Sequence, residues 1–309
     1  MSILGKIIYK YYHKPFSDLK DKGGFINYFL INAGQKAMKN ASHHLKILGF
    51  EKLDTNTTVC ALAGKNNWYQ MIFCLYSFYK NLGYNLKTVI IDDGTLNDDF
   101  IKIIYQQIPY CEVKKNASVI LDTQDFFEKN KLPVIAKHKE AYVVYRKIFH
   151  SLSLVKGKIL ILDADMLFYK FPKEIHEWIK NENTIPMYMP DVYSIYGEQT
   201  DALLENKLAE PLVNTGILGI DTMEVDWQRI EGLLNKYLEF GPINYLTEQG
   251  LYAMYLKGMA KIRLPDTDYI ILPSREEAKN PKAIMHHFPT ENRNFYFRYA
   301  WKNIDPVVK

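Results

Sequence analysis

Asp163 and Asp165 stand one residue apart at the end of the stretch KILILDAD, residues 158–165. The four residues before them, Ile159 to Leu162, are apolar. Two carboxylates so close raise each other's pKa, and unpaired charge beside a core is costly. A hard divalent cation relieves that repulsion, and Mg²⁺ or Mn²⁺ prefers such oxygen ligands while leaving positions open for phosphate oxygens. A cation held in this way can offset the charge that builds on a departing diphosphate. A second group with chemical content lies near the C-terminus, in IMHHFPTENRNFYF. Arg293 follows His287 by six positions. His286 stands next to His287, and on a strand the two would face opposite ways.

These groups need elements to position them. TTVCALAG (57–64) reads as a short buried strand ending at Gly64, and a helix follows from Trp68 to Leu82, stopped by Gly83. KTVIIDDG (87–94) reads as a second strand closed by an Asp-Asp-Gly turn, TLNDDFIKIIYQQI as a helix, and CEVKK as a third strand. EAYVVYRKIFHSLSLV (140–155) reads as a helix leading to KILILDAD, the fourth strand. Apolar β-rich runs alternating with helices indicate an α/β chain, with a mostly parallel, Rossmann-like sheet covered on both faces. In such sheets ligands sit beyond the carboxyl ends of the strands. AGKNN, IDDG and DAD all fall at such ends, so three polar clusters would converge on one crevice. Further on, TIPMYMPDV (184–192) reads as a strand, and PLVNTGILGID (211–221) as a strand pair or a strand with a turn at Asn214 to Gly216. VDWQRIEGLLNKYLEF and LTEQGLYAMYL (246–256) read as helices. No linker splits the chain cleanly.

The chain has 309 residues, 48% hydrophobic and 14% aromatic, enough for one large α/β domain with a substantial core. No window nears eighteen uninterrupted apolar residues, so no transmembrane helix is expected, and no secretory signal is apparent. Cys60, Cys74 and Cys111 lack metal or redox spacing, which fits free thiols in a reducing cytoplasm. The net charge of +4 is uneven: residues 1–53 hold nine Lys against Asp18, Asp21 and Glu51, giving +6, so the remainder is −2. A nucleic-acid-binding protein would carry its basic face in the main domain, and no nucleic-acid partner is expected. We divide the chain into a basic, helical N-terminal extension (1–53) and a main domain (54–309). In SILGKIIYKYYHK the apolar Ile3, Leu4, Ile7, Ile8 and Tyr11 recur at helical spacing beside Lys6, Lys10 and Lys14. Such a helix either packs on the main domain or lies peripherally on a membrane through residues 1–20.

The C-terminal motif resembles glycosyltransferase family 8, the glycogenin-like and lipopolysaccharide glucosyl- or galactosyltransferase-like enzymes. These carry His-Phe-x-Gly-x-x-Lys-Pro-Trp where this chain has His287, Phe288, Arg293 and Phe295. The resemblance implies a GT-A fold, with metal ligation by Asp163, Asp165 and His287 and a diphosphate contact by Arg293. Other motifs follow in the family's order. YRKIFHSL resembles the family's Arg-bearing helix, which makes Arg146 a donor-site candidate. Asp191 lies 28 residues after Asp163, where the family places an Asp that contacts the donor sugar. VNTGILGID resembles the Phe-Asn-x-Gly segment, so Asn214, with Thr215 and Gly216, would face the sugar or acceptor. TEQGLY resembles Asp-Gln-Asp, with Glu248 and Gln249 in the first two places and Gly250 in the third. Where the family usually ends its first strand in an acidic pair, this chain has Lys65 and Asn66. Asp92 and Asp93 could take part of that role, reaching base or ribose. The implied donor-binding set is Ala63, Gly64, Lys65, Asn67, Asp92, Asp93, Arg146, Ala164, Asn214, Thr215, Gly216 and Arg293.

The resemblance implies a metal-dependent (Mn²⁺ or Mg²⁺) transfer of a hexose from a nucleotide-sugar, UDP-hexose foremost, to a hydroxyl of a glycan or lipid-linked acceptor. Family membership would imply retention, with Gln249 beneath the sugar ring. Glu248 as a general base would instead give inversion. High Lys, Asn, Ile and Tyr usage suggests an AT-rich, bacterial genome, and in a bacterium such a transferase would serve surface polysaccharide synthesis. Two other readings share the local pattern. Asp163 could be the nucleophile of a haloacid-dehalogenase-type phosphatase, although that motif normally starts its domain and has Thr or Val where this chain has Leu167. The fold could also serve a non-catalytic nucleotide-sugar or glycan-binding protein.

Overall fold

The computed structural model describes residues 24–47, 51, 56–182, 184–289 and 292–304. The expected amphipathic helix in residues 1–20 lies outside them. The described part of the N-terminal extension contributes α1 (Phe25–Ser42), which packs on the main domain.

The first half alternates strand and helix as its hydrophobic pattern requires. In order it comprises β1 (Thr57–Ala63), α2 (Trp68–Leu82), β2 (Lys87–Asp92), α3 (Asp98–Gln107), β3 (Cys111–Lys114), α4 (Asn116–Lys129), α5 (Pro133–His138), α6 (Val143–Leu154) and β4 (Lys158–Leu162). Then come β5 (Met166–Phe168), α7 (Lys173–Lys180), β6 (Met187–Pro190), α8 (Thr200–Glu205), β7 (Val213–Asp221), α9 (Trp227–Glu239) and α10 (Thr247–Leu256). The chain closes with β8 (Ile262–Arg263), β9 (Tyr269–Ile271), α11 (Arg275–Lys279), β10 (Met285–His287) and α12 (Arg293–Arg298). Helix α2 has the bounds read from sequence, because Gly83 adopts φ 82° and donates its N–H back to the Tyr79 carbonyl.

The main sheet runs β3-β2-β1-β4-β7-β6-β8, with β3, β2, β1 and β4 parallel and β7 antiparallel to both its neighbours. A second sheet, β5-β10-β9, abuts it. Side chains alternate between two cores. Ala61, Ile90, Leu160 and Leu162 join α1 and α2 on one face, while Cys60, Val89, Ile91, Ile159 and Ile161 join α6, α9 and α10 on the other. This two-sided burial explains why these strands read as unbroken apolar runs.

One sequence expectation is corrected. Residues 213–221 form a single continuous strand with no turn at Asn214 to Gly216. The irregularity falls in the β6–β7 pairing, whose register shifts between Tyr188 and Met189. The Asn214 side chain accepts the Gly216 N–H at 2.8 Å, a turn-like bond made inside an extended strand.

Gly34 lets α1 touch the body. A Cβ there would overlap the Phe297 carbonyl in α12, whereas one at Gly232 in α9 would meet nothing within 4 Å. Gly34→Ala should therefore destabilise by about 1–3 kcal/mol. Gly232→Ala should stabilise by up to about 1 kcal/mol. Thermal unfolding of the two variants beside the parent checks both signs.

Candidate active site

Strand β4 ends at Leu162, and the next three residues turn the chain from the main sheet into β5. The Asp163 N–H is held by the Gly216 carbonyl at 2.9 Å and the Asp165 carbonyl accepts the Phe288 N–H at 3.0 Å. Strand β10 pairs antiparallel with β5, opposing His287 to Met166 and so bringing His287 beside Asp165. His287 Nε2 lies 3.1 Å from Asp165 Oδ1 and 3.9 Å from Asp163 Oδ2. The three ligand atoms fall within 4.8 Å of one another. Two carboxylates and an imidazole suit a divalent cation such as Mn²⁺, which accepts both donor types, so the residues present fit the ion that the motifs imply. Gly216 makes room for this arrangement, since a Cβ there would come 2.9 Å from the His287 ring.

The register also settles which histidine faces the carboxylates. His286 points into the apolar interior against Tyr169 and Phe288, and burial lowers its pKa to about 4. His287 behaves oppositely. Burial would lower it, but Asp165 and Asp163 outweigh that and raise it above the ordinary histidine value. Burial would raise Asp165, and His287 and Arg293 overcome that to hold it low. Arg293 Nη2 stands 3.5 Å from Asp165 Oδ2 with half its side chain in solvent, able to turn toward an anion.

Lys147, one position past the arginine singled out from sequence, reaches the carboxylates. Its Nζ lies 2.8 Å from Asp163 Oδ1, 3.4 Å from Glu248 Oε1 and 3.4 Å from Thr215 Oγ1. Burial opposes its charge, but Asp163 and Glu248 win and raise its pKa. Glu248, buried on α10, has the reverse balance. Burial and Asp163 raise it from 4.5 to about 7 against Lys147 and Thr215. Arg146 instead donates from Nε to Glu140 at 2.8 Å and from Nη1 to the Asp93 carbonyl at 2.5 Å, bracing the end of β2.

Beside this cluster, Asp191 Oδ2 accepts from Asn214 Nδ2 at 2.8 Å and from Gln249 Nε2 at 3.2 Å. Gln249 Nε2 also donates to the Ile195 carbonyl at 3.1 Å, so its amide oxygen is the end turned from these partners. The first-strand cluster is largely held by its own backbone. Asn67 Oδ1 accepts the Gly64 N–H at 2.7 Å and Thr95 Oγ1 accepts the Lys65 N–H at 2.9 Å. Ala63 is buried, and its carbonyl accepts the Asp93 N–H at 2.8 Å. Gly64 leaves room for the Asp93 carboxylate, which lies where a Cβ would be. Asp92 accepts N–H groups from Gly94, Thr95, Leu96 and Asn116, a turn-building role. Ala164, half-buried between the two aspartates, packs against the core.

No protein-family sequence model matches the chain, nor does any curated protein sequence. Solved structures do. Mouse xyloside xylosyltransferase 1, in its apo form, superposes with a TM-score of 0.51 at 14% identity, covering 76% of this chain and 98% of that one. An active-site variant of LgtC gives 0.51 at 10% identity, over 75% of this chain and 87% of that one. The bifunctional glycosyltransferase WbbM gives 0.52 at 11% identity, with 82% of this chain matching 50% of that one. The chain therefore has the GT-A fold.

Glu248 generates a prediction. Between about pH 4.5 and 7 the unfolded carboxyl has lost its proton while the folded one keeps it. The unfolded state then binds fewer protons, so this group's contribution to stability falls as pH rises through that window. Measured in EDTA, the melting temperature of Glu248→Gln minus that of the parent should grow more positive from pH 5 to pH 8. A constant difference would mean that Glu248 is ionised throughout.

Proposed function

We propose that the protein is a metal-dependent glycosyltransferase that moves a hexose from a nucleotide-sugar, UDP-hexose foremost, to a hydroxyl of a glycan or lipid-linked acceptor. The observation that carries this reading is the convergence of Asp163, Asp165 and His287 within 4.8 Å, beyond the ends of parallel strands and beside a half-exposed arginine. The fold neighbours, a xylosyltransferase and a bifunctional glycosyltransferase among them, support the reaction class.

Asp163, Asp165 and His287 would hold Mn²⁺ or Mg²⁺, which supplies charge neutralisation at the donor diphosphate. Arg293 donates its fork to the same diphosphate. Lys147 fixes Asp163 and lies against Glu248, which accepts from Thr215 Oγ1 and acts through these two neighbours as an orienting group. Asp191, Asn214 and Gln249 face the sugar. Gln249 turns its amide oxygen toward the ring, where partial positive charge develops, and the transfer is retaining. Gly64, Lys65, Asn67 and Asp93 border the nucleotide, with Arg146 bracing that loop. Residues 54–309 form the transfer domain and 1–53 an appended extension. Among the described residues no helix is long and apolar enough to cross a membrane. A cytoplasmic enzyme of bacterial surface polysaccharide synthesis, touching the inner membrane peripherally through residues 1–20, fits this reading.

A thermal-shift panel of nucleotides and nucleotide-sugars, with and without Mn²⁺, tests it. Ligand at a hundred times Kd stabilises by about 2.7 kcal/mol. One nucleotide-sugar should raise the melting temperature only with Mn²⁺, and Asp165→Ala should abolish the shift. With that donor and an acceptor, Gln249→Ala should lower kcat by about a hundredfold and leave donor binding nearly unchanged. A shift with vanadate and none with nucleotides would replace this reading with an Asp163 phosphatase. Nucleotide-sugar binding without turnover on any acceptor would replace it with a binding protein.

A further inference from the structure

We propose that the N-terminal half of α1, together with the cations gathered round Tyr299, forms a docking surface for an anionic lipid bilayer. Phe25, Ile26 and Phe29 are 73%, 75% and 65% exposed, and Leu30 39%. Positions i, i+1, i+4 and i+5 make one stripe on a helix. It lies away from the buried face of Ile31, Gly34, Met38 and Ala41. Beyond Leu30 the exposed positions of α1 are Ala33, Lys36, Ala37, Lys39 and Asn40, so the exposure of large apolar side chains is confined to the first two turns. Scattered exposed apolar residues are ordinary, but a cluster of large ones marks an interaction site.

The cationic part lies beside it. Arg298 sits 5.0 Å from the centre of the Tyr299 ring, Arg275 5.6 Å and the Lys279 amine 5.5 Å. Arg298 Nη1 also donates to Asn27 Oδ1 in α1 at 2.7 Å, which ties the cations to the turn that bears Phe25 and Ile26. The acids of the same helix are engaged elsewhere: Glu277 closes a capping box with Ser274 and Glu276 accepts from Asn280. Three cations around one ring repel each other, and lipid phosphates relieve that repulsion through charge-assisted hydrogen bonds. The sequence before α1 adds five lysines in residues 1–23 against Asp18 and Asp21. An apolar tip flanked by cations suits an interfacial seat, with the apolar groups about 5–10 Å into the headgroup boundary. A second copy of the chain is a poorer occupant, because four side chains fall far short of the about 20–30 residues a side that a stable interface uses. Resting on the proposed function, one consequence follows. Arg293 and Arg298 are the two ends of α12, so a bilayer at Arg298 would place the diphosphate contact about 7.5 Å further along the helix. That proximity fits a lipid-linked acceptor.

The test is flotation of the full chain with vesicles of phosphatidylglycerol mixed with phosphatidylcholine, and of phosphatidylcholine alone. Three variants accompany it: Phe25→Ser/Ile26→Ser/Phe29→Ser, Arg275→Gln/Lys279→Gln, and deletion of residues 1–20. The parent should float with the anionic vesicles, less so at high salt. The triple serine variant should bind at least about tenfold more weakly, and the Arg275/Lys279 variant should lose the preference for anionic lipid. Melting temperature and its donor-induced shift should stay unchanged in both, which separates failure of this surface from failure of the transferase reading. Undiminished binding by the triple serine variant, alone or with loss of binding on deleting residues 1–20, would overturn the proposal. So would a parent that ignores anionic vesicles, or a parent dimer in sedimentation that the serine substitutions convert to monomer.

Discussion

The site depends on charge compensation in a nearly closed space. Asp163, Asp165 and Glu248 bring three carboxyl groups to the junction of β4, β7 and α10, and each is costly to bury alone. Lys147 answers two of them from one side, 2.8 Å from Asp163 and 3.4 Å from Glu248. His287 and Arg293 answer Asp165 from the other. The cluster is thus two half-sites joined at Asp163. A fixed cation on α6 orders one half, and the other gathers Asp163, Asp165 and His287.

This explains why the surrounding backbone is tight. Gly216 has no Cβ because the His287 ring occupies that space, and Gly64 has none because Asp93 does. The reversal of direction at β7 carries Asn214, Thr215 and Gly216 past the end of β4. One strand therefore contributes to both the Asp191–Gln249 group and the Lys147–Glu248 group. A second sheet is needed because His287 must approach from outside the parallel layer, and β10 provides it by pairing with β5.

Much of this was legible in the sequence. The apolar runs ending in AGKNN, IDDG and DAD marked the parallel strands β1, β2 and β4, and the helix Trp68–Leu82 could be bounded to the residue because Gly83 supplies the left-handed cap. Two features were not legible, for physical reasons. Asn-Thr-Gly has turn chemistry, yet it runs extended in β7, with Asn214 paired to Met189 and the Gly216 carbonyl accepting the Asp163 N–H. Lys147 reads as an ordinary helix lysine next to a more eye-catching Arg146. Its position on α6 decides that it faces the carboxylates while Arg146 turns to Glu140 and the Asp93 carbonyl. The choice between His286 and His287 likewise needed the register that opposes His287 to Met166.

The central claim is that Asp163, Asp165 and His287 form a metal centre at which a nucleotide diphosphate is bound. Electron paramagnetic resonance of free Mn²⁺, titrated with protein in the presence of UDP, tests it most directly. The account predicts that the free-ion signal falls with the parent and with folded His286→Ala, and persists with folded His287→Ala and Asp165→Ala. Equal uptake by the parent and the His287→Ala protein, or no uptake by the parent, would contradict it.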